Sequence, residues 1–169
     1  MKDVFKEQMI RKLPTAKDTL IKCAIITGAL LLSFLSLVFI PSIAIMVIGI
    51  LGFIIYYIFG YMKKEFEYIF TNGELDIDCI YGKARRKRKF TGDVKEAILL
   101  AHSANRDAET ELKKAEVTLD FGSGIISEKS WYLLTTHTGK RTKIIFEPND
   151  NMFAAMKPFI PPRKIFKKF

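Results

Sequence analysis

From Cys23 to Met62 the chain holds 40 residues without a single Asp, Glu, Lys, Arg, His, Asn or Gln. No core element of a soluble domain needs an apolar run of that length. A membrane-spanning helix takes about 20 apolar residues, because about 30 Å of hydrocarbon is crossed at about 1.5 Å per residue. The run therefore makes two spans. The lack of ionisable groups inside it argues against a transporter or proton relay, which needs such groups within the bilayer, and for an anchor. Cysteine and histidine are also scarce, at two each. Cys23 lies at a membrane boundary and Cys79 in a predicted strand, so they form neither a metal-ligand spacing nor a disulfide framework. His102 falls in a polar loop and His137 at a hairpin turn, both read as surface residues outside any nucleophile motif. Asp107, Glu109 and Glu111 lack the spacing of a metal loop. Gly122-Ser123-Gly124 is too short to cradle phosphate and has no following Lys-Ser or Lys-Thr. These absences leave no catalytic residue, metal site or cofactor to expect, and the chain reads as a non-enzyme.

What is present divides the chain into four parts. Residues 1–18 form an amphipathic segment, with Phe5, Met9 and Leu13 four apart and Ile10 beside them. That spacing predicts a helix, lying either in the headgroup region or on the following domain. Residues 19–62 form the hairpin of spans, about Leu20–Ile40 and Ser42–Tyr61. Pro41 breaks it, since proline disfavours helix in the residue before it and can begin a new one. Arg11, Lys12, Lys17 and Lys22 flank the first span, Lys63 and Lys64 flank the second, and the tip carries no basic residue. Basic flanks stay on the cytoplasmic side, so the expectation is a two-span protein of the cell membrane with both termini cytoplasmic.

Residues 63–160 read as a small β domain. Phe66, Tyr68 and Phe70 alternate with Glu65, Glu67 and Ile69 up to Asn72-Gly73, a strong hairpin signal. Leu75, Ile77, Cys79 and Tyr81 follow, so the register sets Phe70 opposite Leu75, Tyr68 opposite Ile77 and Phe66 opposite Cys79. A two-residue turn at Gly82-Lys83 would lead into a basic strand, with Asp78 opposite Lys87 and Asp76 opposite Lys89. It would also leave Arg86 and Arg88 on the apolar side, unless a bulge or an edge position released them. Val94–Ala101 and Glu116–Phe121 read as further strands around an irregular polar stretch at 102–115 with a short helix. Trp131–Thr136 and Arg141–Phe146 form a hairpin turning at Thr138-Gly139, with Trp131 opposite Phe146 and Leu133 opposite Ile144. Met152, Phe153, Met156 and Phe159 then make one helical stripe. The expected fold is α+β: a transmembrane hairpin, then seven strands as a small antiparallel barrel closed by a C-terminal helix.

The paired spans, the run Phe66-Glu67-Tyr68-Ile69-Phe70-Thr71-Asn72-Gly73-Glu74-Leu75-Asp76-Ile77, and the closing Gly139-Lys140-Arg141-Thr142-Lys143-Ile144-Ile145-Phe146-Glu147-Pro148-Asn149 with its helix resemble bacterial membrane proteins with a cytoplasmic PH-like domain. That resemblance implies a PH-like barrel that binds lipid headgroups, peptides or its own oligomer. It supplies no catalytic residues.

The formal net charge is +9. Residues 1–22 hold six basic and three acidic side chains, Lys63 and Lys64 follow, and the remainder holds 19 basic and 15 acidic. More than half of the excess thus lies in or beside the hairpin, which points to lipid headgroups before nucleic acid. The densest run is Lys83, Arg85, Arg86, Lys87, Arg88 and Lys89. It reads either as a contact for anionic inner-leaflet lipid or an acidic partner, or as a solvated strand neutralised by Asp76 and Asp78. The tail, 161–169, adds Arg163, Lys164, Lys167 and Lys168 with Phe166 and Phe169, which suits an anionic interface or an unstructured end. The expected function is a membrane-anchored binding or scaffold protein whose domain meets anionic lipid, a protein partner or a second copy. The alternative is an accessory subunit of a larger membrane complex.

Overall fold

The computed structural model describes residues 3–166. The chain enters as a strand, β1 (Phe5–Arg11), and not as the expected amphipathic helix. A spacing of four residues keeps side chains on one face of a strand as well as near one face of a helix. The alternate residue Gln8 ties β1 to the domain: its Nε2 donates to the Glu147 carbonyl at 2.7 Å, and its Oε1 accepts from the Asn149 amide at 2.7 Å.

Two long helices follow, α1 (Ala16–Phe39) and α2 (Pro41–Met62). Helix α1 starts one turn before the expected span because Thr15 and Asp18 form a capping box. Helix α2 opens on Pro41, whose missing N–H costs nothing at that position. The helices lie against each other, yet the most apolar stretch of each is 0% and 6% buried. Both are long and apolar enough to cross a membrane.

Strand β2 (Lys64–Thr71) begins directly after α2, and β3 (Glu74–Tyr81) and β4 (Arg85–Asp93) complete an antiparallel sheet in the order β1-β2-β3-β4. Asn72 and Gly73 both have positive φ, as their turn requires, and the β2–β3 register is the expected one. A second sheet holds β5 (Leu99–His102), β6 (Val117–Asp120), β7 (Trp131–His137), β8 (Lys140–Phe146) and β9 (Ile165–Phe166) in the order β6-β8-β7-β5-β9. The β7–β8 hairpin has the expected pairing of Trp131 with Phe146 and Leu133 with Ile144.

Three expectations are corrected here. Nine strands are present among the described residues, not seven. The pairs β6–β8 and β5–β9 are parallel, so the fold is not wholly antiparallel. The two sheets do not close into a barrel. Their inner faces share one core of Phe66, Tyr68, Phe70, Leu75 and Ile77 with Leu100, Leu133, Ile144 and Phe146. A short helix, α3 (Glu109–Leu112), lies in the irregular stretch and contributes Leu112 to a second cluster with Leu99, Ala101 and Leu134. The C-terminal helix α4 (Asp150–Met156) starts at an Asn149 cap and buries Met152 and Met156. It packs beside β1 and β2, with Phe153 on Trp131 at 4.4 Å, rather than closing a barrel mouth.

Candidate functional site

The basic strand is held in a register one residue away from the expected one. Gly82, Lys83 and Ala84 form a three-residue connection in which Gly82 and Lys83 both take positive φ. Arg88 therefore faces Asp78 and Arg86 faces Ile80. Side chains alternate along a strand, so the single added residue moves both arginines from the core side to the opposite face. A bulge between Ile77 and Asp78 then skips Lys89, and Phe90 returns opposite Ile77 to the core.

On that opposite face β2 and β3 present Glu67, Asp76 and Asp78, and the arginines fold over them. Arg86 Nη2 lies 2.6 Å from Glu67 Oε2, a charge contact without a well-aligned hydrogen bond to that oxygen. Its Nη1 lies 3.8 Å from Asp78 Oδ2. Arg88 reaches Asp76 at 2.8 Å and donates from Nε to Asp78 at 2.9 Å. Glu67 and Asp78 are each only 3% exposed. Burial holds the Glu67 carboxyl above its ordinary range; a hydrogen bond with Glu7 raises it further, and Arg86 offsets part of this. Two of the six basic residues are thus spent on internal neutralisation. Lys83, Arg85, Lys87 and Lys89 remain exposed, without an ion pair among the described residues.

The β3–β4 connection sits against the base of the helices. The Gly82 amide donates to the Lys63 carbonyl at 2.9 Å, and the Lys12 amide donates to the Lys64 carbonyl at 3.0 Å. A Cβ on Gly82 would stand 3.1 Å from the Gly60 carbonyl oxygen, so this close approach needs glycine as well as its positive φ. These bonds gather the end of β1, the start of α1, the α2–β2 junction and the β3–β4 connection around one cleft of about 600 Å³. Arg11, Lys12, Lys22, Lys63, Lys64 and Lys83 line it, with Asp18 the one acid among the described lining residues. Arg11 pairs with Glu65 at 3.2 Å and Lys12 with Asp120 at 3.3 Å. In the sequence these cations, Lys83 apart, were visible only as flanks of the spans. The signal for a shared site was the chain reversal that returns residues 11–22 to residues 63–64.

The tail lies elsewhere. Val94 donates to the Gly73 carbonyl, which places residues 94–97 by the β2–β3 turn, at the other end of β2. Eight residues of β2 at about 3.3 Å each put that turn about 25 Å from the helix bases. Lys164 donates to the Ala97 carbonyl at 2.7 Å, Ile165–Phe166 forms β9, and Phe166 packs on the second cluster. Through Phe166 the tail, expected either on an anionic interface or as an unstructured end, is instead a 3-10 turn (Pro162–Lys164) and a short edge strand, so Arg163 and Lys164 do not join Lys83 and Arg85. Lys167, Lys168 and Phe169 lie outside the described residues. His102 is also corrected: it is 6% exposed, bonds the Glu128 carbonyl at 2.7 Å and meets the edge of Trp131, so it pins a loop.

A family model described as a bacterial PH-like domain (DUF6106) matches residues 2–167, and the chain belongs to that family. No curated protein and no solved structure matches the chain.

Proposed function

We propose that this bacterial PH-like protein is a membrane-anchored binding protein, with α1 and α2 crossing the cell membrane as a hairpin and the β domain held on the cytoplasmic face. The observation that carries the reading is the pairing of two uncovered apolar helices with a cationic collar at their base. In water such helices would leave a large apolar surface exposed, whereas in lipid that surface is solvated and their backbone is satisfied internally. Basic residues flank both helix bases and are missing from the tip, which supports cytoplasmic termini.

In that placement Lys83 and Arg85 stand at headgroup level, and each basic residue near an anionic surface contributes about 1 kcal/mol. Strand β4 then rises away at about 3.3 Å per residue, leaving Lys87 and Lys89 for headgroups at longer range or for an acidic protein partner. Arg163, at the far end, suits a partner or a second copy and not the anchoring leaflet. No catalytic step is assigned.

The test uses the full chain. It should stay in the membrane pellet under carbonate extraction at high pH. Purified in mild detergent, it should retain anionic phospholipid over zwitterionic phospholipid by native mass spectrometry. Release into the supernatant overturns the anchor, and equal retention overturns the lipid contact.

A second reading, an accessory subunit of a larger complex, draws on Gly28, Gly49 and Gly52, where a Cβ would meet nothing within 4 Å. Such open positions let other helices approach closely. A lone 19.4 kDa chain after gentle extraction would count against it.

A further inference from the structure

We propose that the cleft at the helix bases is a binding site for one lipid headgroup that bears a phosphate and a net negative charge, distinct from the diffuse contact of the β4 lysines. The inference rests on the membrane-anchored reading above and names its ligand site.

Four features carry it. The first is charge left over after internal pairing. Arg11 and Lys12 have carboxylate partners, and the Asp18 carboxylate, held in the helix cap by Thr15, offsets part of the charge of Lys64 and Lys22. Lys22, Lys63, Lys64 and Lys83 have no ion pair among the described residues. Lys22 and Lys64 are instead held over the rings of Phe59 and Tyr81, at 5.8 and 5.9 Å from their centroids. Four such cations around one hollow outnumber its single described acid, Asp18, so a net repulsion remains and an anion relieves it.

The second feature is construction from distant segments. Lys22 comes from α1, Lys63 and Lys64 from the α2–β2 junction, and Lys83 from a positive-φ position. The backbone bonds of Lys12 to Lys64 and of Gly82 to Lys63 fix those segments together. The cleft is therefore assembled before a ligand arrives, which lowers the ordering cost of binding.

The third feature is size and lining. A cleft of about 600 Å³ holds a ligand of small-molecule size. Leu13 and Met62 line it beside the cations. A bare phosphate has no use for these apolar walls, but the glycerol and upper acyl carbons of a lipid do.

The fourth feature lies next to the cleft. Leu13 donates its amide to the Ser123 carbonyl at 2.8 Å, and Gly124 approaches Lys12. This holds the loop after β6 at the helix-proximal end, where Ile125 and Ile126 are 61% and 63% exposed. Two adjacent exposed isoleucines at that level suit a loop that dips into the upper acyl region and flanks the headgroup.

The experiment takes the full chain in mild detergent and titrates it with short-chain phosphatidic acid, phosphatidylglycerol, phosphatidylcholine and inorganic phosphate, read by native mass spectrometry. Wild type is expected to bind one phosphatidic acid or phosphatidylglycerol molecule well ahead of phosphatidylcholine and of inorganic phosphate. Lys22→Gln/Lys63→Gln/Lys83→Gln is expected to weaken that single site about a hundredfold. Lys87→Gln/Lys89→Gln, on β4 outside the cleft, is expected to leave it within about twofold. The fluorescence of Trp131 confirms that each variant keeps its fold. Equal affinity in the cleft variant overturns the site while an anionic preference in wild type keeps the broader reading standing. Absence of any anionic preference in wild type overturns both. Saturation by inorganic phosphate at the same concentrations as lipid overturns the lipid as ligand.

Discussion

Replacing Arg86 by glutamine separates a basic strand that neutralises its own sheet from one that is free to bind. Arg86 is the cation closest to Glu67, and its side chain is 55% exposed while Glu67 is 3% exposed. Breaking a fully buried pair costs about 3–5 kcal/mol, and an exposed pair is worth about 0–1 kcal/mol. A half-exposed arginine over a buried carboxylate falls between, so the expected loss is about 2 kcal/mol near pH 8. The loss depends on pH in a defined direction. Glu67 is already held above its ordinary value of 4.5, by burial first and by Glu7 second, with Arg86 opposing both. A carboxyl raised by folding contributes stability that is fully present below the ordinary value and disappears as pH rises through the folded value. Removing Arg86 raises the folded value further and widens that window. The penalty of Arg86→Gln is therefore expected to be larger near pH 8 than near pH 5, by about 1 kcal/mol or more. Urea denaturation of the full chain in non-ionic micelles provides the measurement. Trp131 is the single tryptophan and reports on the domain through its contact with Phe153. Adding Glu67→Gln to the variant is expected to restore more than half of the loss and to flatten its pH dependence. A penalty equal at both pH values, or below about 0.5 kcal/mol at both, would refute the reasoning.

Further outcomes follow from single contacts. Tyr68→Phe removes a buried hydroxyl that donates to the Phe121 carbonyl at 2.6 Å and accepts from the Glu147 amide at 3.3 Å. The loss of about 1–3 kcal/mol in the same urea assay comes from backbone groups left unpaired. Leu75→Ala empties a fully buried position between the sheets and is expected to cost about 2–5 kcal/mol; a cost under about 1 would mean that the two sheets do not pack as described. Gly82→Ala meets both a φ of +57° and the Gly60 carbonyl, and a cost of about 1–2 kcal/mol is expected, with faster protease cleavage near the helix base as a second readout.

The parts of the fold that were legible in the sequence are those governed by neighbours along the chain. The charge-free run, the Pro41 break, the Asn72-Gly73 turn with its register, the β7–β8 pairing and the Asn149-capped helix each follow from a short segment. The parts that were not legible depend on partners far away. Strand β1 pairs with β2 across the whole hairpin, and β6 and β9 join as parallel neighbours of β8 and β5. Four-residue spacing cannot choose between helix and strand for Phe5 and Met9. The choice is made by the free edge of β2 and by the bonds from Gln8 to residues 147 and 149. Phe166, read either as an interfacial aromatic or as part of an unstructured end, is instead claimed by Leu99, Ala101 and Leu134.

For the candidate site the deciding detail is one residue in a turn. With two residues between β3 and β4, Arg86 and Arg88 would face the core; with three, they cover Glu67, Asp76 and Asp78. Net charge cannot see this difference, because the composition is the same in both registers. A run of six cations therefore overstates what β4 offers a ligand, and ordinary flanking lysines understate what the junction offers. Lys22, Lys63 and Lys64 acquire their meaning only when the hairpin returns the chain beside Lys83. The distribution of unpaired charge after folding, and not its density along the sequence, is what locates an anion site. In this protein four cations without an ion pair among the described residues, Lys22, Lys63, Lys64 and Lys83, meet where the apolar helices end.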